Sequence, residues 1–187
     1  MRMWFLLAAL LSFHNPAFSS TDDRSLYYIG LEVRKSTRDN SQFDEELVLK
    51  KSYSPSQNLL SEIACVKKAG SPAELSPVYM KVDGNLITDI STDSGFATGP
   101  LSGTGQLKGD SWNWDYLEFS MRFETARGNV RIEDKNWVVG HQIKAEKQIY
   151  WRGTEDSSET QISLIQASVD EVNESDFNAK WTALGCP

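Results

Sequence analysis

Histidine is the side chain that most often moves protons near neutral pH, and this chain of 187 residues has two. His14 sits in an apolar N-terminal run, so a Ser-His-Asp or Cys-His constellation would have to be built on His141. His141 falls in the run Trp137 to Trp151, where Trp137, Val139, His141, Ile143 and Ala145 alternate with Gly140, Gln142, Lys144 and Glu146. Alternation of that kind places it mid-strand on an apolar face, as a core or cavity-lining histidine or a ligand contact rather than a base. One remaining histidine and two cysteines are too few for a zinc site of the usual nitrogen and sulfur type. Nothing else in the chain supports haem ligation by His141, so no cofactor is expected.

Carboxylates are plentiful, and a pair of them could do acid–base chemistry if set at a fixed separation in apolar surroundings. Asp115, Glu133 and Asp134 flank strand ends and Asp83 sits in a turn, with no pair marked out by spacing, so they read as surface charge. Glu45 and Lys51 fall on an apolar strand face, near its ends, where they can reach water. Gly103, Gly105 and Gly109 superficially resemble a nucleotide loop, but no βαβ unit follows. With neither a nucleophile–base pair nor a metal cluster in view, the expectation is a binding protein, not an enzyme.

The elements that must carry these residues are strands. Leu117, Phe119, Met121 and Phe123 alternate with Glu118, Ser120, Arg122 and Glu124, a strand with one buried and one wet face. Ala126 to Asn129 is a turn, and Val130 and Ile132 alternate again beyond it. Further runs begin near Leu26, Phe43, Leu59, Val78, Leu86 and Gln161. In the first, Tyr27, Ile29, Leu31 and Val33 are expected to take the buried face. Asp83-Gly84-Asn85 marks a tight hairpin. Ser91 to Gly109 is glycine-rich, as at a barrel corner. The apolar positions shift from even (Trp112, Trp114, Tyr116) to odd (Leu117 onward), which predicts a β-bulge near Tyr116. Phe177, Trp181 and Leu184 make one stripe of a short C-terminal helix, with Ser175 as its N-cap and Gly185 as its stop. The fold class is therefore all-β: an antiparallel up-and-down barrel or strongly curved meander of eight or nine strands, with a short C-terminal helix.

The ends and the charge set the compartment. Arg2 precedes the apolar run Met3 to Ser12, and Ala17-Phe18-Ser19 is a small-x-small cleavage site, so residues 1–19 read as a signal peptide and 20–187 as one domain. The protein is then exported, to a periplasmic or extracellular space, and no later run is long enough for a membrane helix. Export and an even cysteine count predict a Cys65–Cys186 disulfide. A net charge of −7 disfavours nucleic acid as a partner.

An exported chain of this length, with meandering strands, a late short helix and a disulfide reaching the C-terminus, resembles the lipocalin (calycin) superfamily. Gly109-Asp110-Ser111-Trp112 is similar to the Gly-x-Trp of that family, with one residue more between glycine and tryptophan. The resemblance implies a barrel with an apolar cavity. Two functions stay open. One is a carrier of a small hydrophobic ligand, lined by Phe119, Met121, Trp137, His141 and Ile143. The other is a filled-core module that binds another protein through exposed aromatics such as Tyr28, Trp112 or Trp114.

Overall fold

A computed structural model describes residues 23–92, 101–109 and 114–187. The signal-peptide segment and Trp112 lie outside the described residues. Ten strands precede one helix: β1 Arg24–Ser36, β2 Gln42–Ser54, β3 Leu59–Lys68, β4 Glu74–Asp83, β5 Leu86–Ser91, β6 Ser102–Gly109, β7 Trp114–Thr125, β8 Gly128–Val139, β9 Gln142–Gly153, β10 Thr160–Val172 and α1 Glu174–Leu184. Each strand pairs antiparallel with the next, and β10 closes onto β1 to complete an up-and-down barrel. The closing seam runs from Tyr27 opposite Val172 to Ser36 opposite Ser163. Among the described residues every strand has a neighbour on both sides, with β5 and β6 joined at Leu86–Gln106 and Ile87–Gly105. Among the described residues no helix is long and apolar enough to cross a membrane.

The strand count exceeds the expected eight or nine because the glycine-rich stretch supplies a strand, β6, whose Gly105 lies so close to β7 that an added Cβ would meet the Glu118 carbonyl oxygen. The long run Trp137 to Trp151 is not one strand: Trp137 to Val139 end β8 and the rest belongs to β9, because Gly140 and His141 form a hairpin turn. Gly140 has φ 64° there, the left-handed conformation that tight hairpins need and glycine adopts freely. The predicted bulge is present: Lys108 faces Tyr116 while Gly109 faces Trp114, so Asp115 is the extra residue.

The face assignment of β1 is the reverse of the expectation. Leu26, Tyr28, Glu32 and Arg34 point into the barrel, and Leu31 is 57% exposed outside. The outer apolar residues Tyr27 and Ile29 have a partner that strand periodicity does not reveal, the helix. Phe177 and Leu184 of α1 are buried in an external cluster with Val48, Cys65, Tyr27 and Ile29. Burying those two side chains is worth about 1.5–3 kcal/mol each. The N-cap is Asn173, not Ser175: its side-chain oxygen accepts from the Asp176 backbone N–H at 2.9 Å. Ser175 already lies within the helix. Gly185 ends it in the left-handed conformation, φ 74°. No basic residue of the helix itself sits in its last turn, but Lys67 of β3 donates to the Leu184 carbonyl at 2.7 Å. Cys65 and Cys186 are bonded, with Cα atoms 6.2 Å apart, and fasten the helix end to the outside of β3.

The interior divides along the barrel axis. Toward the end bearing the β4–β5 and β8–β9 turns, large side chains fill the bore: Tyr28, Leu60, Met80, Ile87, Trp114, Leu117 and Ile143. The apolar filling thins toward the other end, where the β1–β2, β3–β4, β7–β8 and β9–β10 connections lie.

Candidate functional site

Strand parity aims charged residues into the bore at the level where the packing stops. On β1, Glu32 and Arg34 are inward. On β2, Glu45 stands directly across the ladder from Glu32. On the next rung system Lys51 of β2 faces Glu62 of β3, and across the barrel Asp134 of β8 faces Lys147 of β9. Two cavities with shared walls result. The larger is about 450 Å³ and lies toward the unfilled end. A smaller space of about 70 Å³ lies beneath it, bounded by Glu62, Asp134, Asn136, Lys147 and Phe119. Glu32, Ala64, Val78, Lys147 and Ile165 border both.

The larger cavity has two unlike walls. Its β1–β2 side carries Glu32, Arg34 and Glu45, and its β7–β9 side carries Met121, Phe123, Ile132 and Ile149, with Lys147 as its one charged residue. Arg34 Nη2 donates to Glu32 Oε1 at 3.2 Å, and Arg34 Nε lies 3.3 Å from Glu45 Oε2. That second contact is an ion pair without hydrogen-bond alignment, so both its atoms are buried with no hydrogen-bond partner. Glu45 is 8% exposed. Burial first, and then the hydrogen bond to Glu32, raise its carboxyl to about 7, against the opposing pull of Arg34. Glu45 thus holds a proton near neutral pH, beside the Glu32 carboxyl.

The floor is a second ionic group. Lys147 Nζ lies 3.1 Å from Asp134 Oδ2, and Asn136 donates to Asp134 Oδ1 at 3.0 Å. Asp134 raises the Lys147 ammonium, against its desolvation, with Glu32 and Glu62 adding to the rise. Lys147 therefore stays protonated at neutral pH and is no nucleophilic amine. Glu62 is raised to about 7, chiefly by burial and then by Asp134, with Lys51 and Lys147 opposing. Lys51 is 3% exposed, and its ammonium lies 4.3 Å from the centre of the Trp114 ring. A desolvated cation over an indole is worth about 2 kcal/mol.

Of the expected lining residues, Phe119 borders the deep space, Met121 lines the larger cavity, and Ile143 belongs to the filled end. Trp137 and His141 do not join them. Trp137 is outward on β8, whose inward residues are Ile132, Asp134 and Asn136, and His141 is exposed in the hairpin turn. Its backbone carbonyl accepts from the Glu171 N–H at 2.9 Å. The two aromatics proposed as exposed and described here, Tyr28 and Trp114, are both buried. Asp134 is no surface charge, and Glu45 and Lys51 do not reach bulk water as expected, because the barrel closes over them. Among the described residues no group of three or more His, Cys, Asp or Glu side chains is placed to hold a metal.

Glu32, Glu62, Asp134 and Lys147 were not singled out as site residues by sequence reasoning. A signal for three of them was present: Glu62 lies between Leu60 and Ala64, Asp134 between Ile132 and Asn136, and Lys147 between Ala145 and Ile149 at the same parity. No protein-family model matches this chain, and no curated protein matches it either.

Proposed function

We propose that this protein is a non-enzymatic carrier of one small amphipathic molecule, held in the half-filled bore of the barrel. The observation that carries the reading is the cavity of about 450 Å³ with a charged β1–β2 wall and a β7–β9 wall that is apolar apart from Lys147. That volume falls in the range of small-molecule sites, about 300–1,000 Å³. A filled-core module would not need it. The buried positions of Tyr28 and Trp114 also remove two of the exposed aromatics on which such a module would rely. Binding rather than catalysis is favoured because Lys147 is held protonated by Asp134 and Arg34 is engaged by Glu32. The Cys65–Cys186 bond suits an oxidising compartment and so fits an exported protein.

The test fills the cavity. Met121→Trp adds bulk at the apolar wall, and Leu31→Trp adds the same bulk outside the barrel. A fluorescent naphthylamine probe should bind wild type and Leu31→Trp saturably, with stoichiometry near one, and Met121→Trp at least about tenfold more weakly. Equal binding by all three, or by none, would overturn the carrier reading.

A further inference from the structure

The inner charges do not balance. Five carboxyl groups, those of Glu32, Glu45, Glu62, Glu74 and Asp134, border the two cavities with the cations Arg34, Lys68 and Lys147, and Lys51 lies behind them. Arg34, Lys147 and Lys51 are each committed. Arg34 lies between Glu32 and Glu45, Lys147 is bound to Asp134, and Lys51 stands across the ladder from Glu62 and over Trp114. At Arg34, Lys51 or Lys147 an anionic ligand would have to break one of these pairs and leave its carboxylate buried alone, a costly exchange, and Lys68 stands exposed at the rim, turned to the Phe43 ring. A cation needs no such exchange. One acceptor still lacks a hydrogen-bond donor: Glu45 Oε2 is buried in the cavity wall and meets Arg34 Nε as an ion pair without hydrogen-bond alignment.

Resting on the carrier reading, we propose that the cargo is an amphipathic cation. Its ammonium group sits against the Glu32–Glu45 carboxyl pair, and its apolar part lies along Met121, Ile132 and Ile149 on the opposite wall. A fatty acid is the wrong charge for this bore. Arrival of the ammonium displaces the proton held by Glu45, and that proton goes to solvent. Around Glu45 stand Glu32 and Arg34 of β1, Lys68 of β3 directly across the ladder, and Glu74 of β4. Lys68 is turned to the Phe43 ring, 3.7 Å from its centre. The proton is therefore released from an acidic pair whose nearest engaged cation is Arg34.

Three probes with one tail and different heads test this: decylammonium, decanol and decanoate, each displacing the naphthylamine probe from the full chain. Decylammonium should bind about tenfold or more tightly than decanoate. Its affinity should rise on the order of tenfold between about pH 6 and pH 8, because it must displace less bound proton. Decanol should show no such rise. Glu45→Gln should weaken the cation about tenfold and abolish its pH dependence, Glu32→Gln should weaken it about tenfold, and both should affect decanol several-fold less than the cation. If these variants fail to fold, the head-group order and the pH dependence of wild type decide alone. Decanoate binding as tightly as the cation overturns the charge assignment and leaves the carrier standing. Failure of all three tails to bind overturns the carrier reading itself.

Discussion

At the scale of residues, the barrel holds acids that prefer their protons. Glu62 rises from 4.5 to about 7 on folding, first through burial. A group of that kind binds its proton more tightly in the folded than in the unfolded chain. Its stabilising effect is whole below about pH 4.5 and is lost as pH climbs through about 7. The loss is at most about 3 kcal/mol. Glu45 acts in the same direction. Glu118 and Glu159 act in the opposite sense, since hydrogen bonds from Tyr116 and Arg131 lower them, and their support fades as pH falls below the usual carboxylate range. Stability should therefore peak in mildly acid solution. Glu62→Gln, neutral at every pH, should flatten the decline between about pH 5 and pH 8 seen in urea denaturation. An equally steep decline in the variant would remove Glu62 from this account. These acids were hard to see in the sequence because a charge on an alternating strand reads as a wet face. Only the closure of the barrel decides which face is wet.

At the scale of elements, α1 and its disulfide form a clasp on the outside of β1 to β3. The bond joins positions 121 residues apart, and on the chain-entropy model a loop of that length is worth up to about 4–5 kcal/mol. Cys186→Ser should lower the urea midpoint and let proteases cut first beyond Val172, while the β signal in circular dichroism persists. An unchanged midpoint would show that the clasp is idle. The helix stripe and the cysteine pair were legible in the sequence, since Phe177, Trp181 and Leu184 recur at helical spacing. What the helix covers was not, and so β1 was turned inside out: Tyr27 and Ile29 face α1, not the bore. The β8–β9 hairpin was hidden for a different reason. A two-residue turn pairs Val138 with Ile143, so inward parity passes from even to odd, while the apolar alternation Trp137, Val139, His141, Ile143 runs on through the turn as if nothing had happened. That single parity change put Trp137 outside the barrel and left His141 in the turn, while Asp134 keeps the inward parity of Ile132 and Lys147 that of Ile143.

At the scale of the whole molecule, the barrel closes by joining its first strand to its last. Nearly all other pairings are local hairpins, but the β1–β10 seam must wait for the rest of the chain. Long-range β closure is slow, so refolding should take milliseconds to seconds. A fluorescence stopped-flow trace completed within about a hundred microseconds would contradict closure as the limiting step. The architecture itself was legible, because ten alternating strands with short connections leave few other arrangements. The half-empty bore was not, since it depends on small and charged residues such as Ala64, Ser76, Ala145 and Lys147 meeting at one depth. The packing at the opposite end, where Leu60, Met80, Trp114 and Leu117 pack together, has a consequence for traffic. A vessel stoppered at one end cannot be a conduit: cargo does not pass through it, and a newcomer cannot push an occupant out ahead of it. For the carrier proposed above, loading and unloading would share one doorway, so whatever receives the cargo would have to meet the rim formed by the β1–β2 and β3–β4 connections, and the time a molecule stays aboard would be set at that rim.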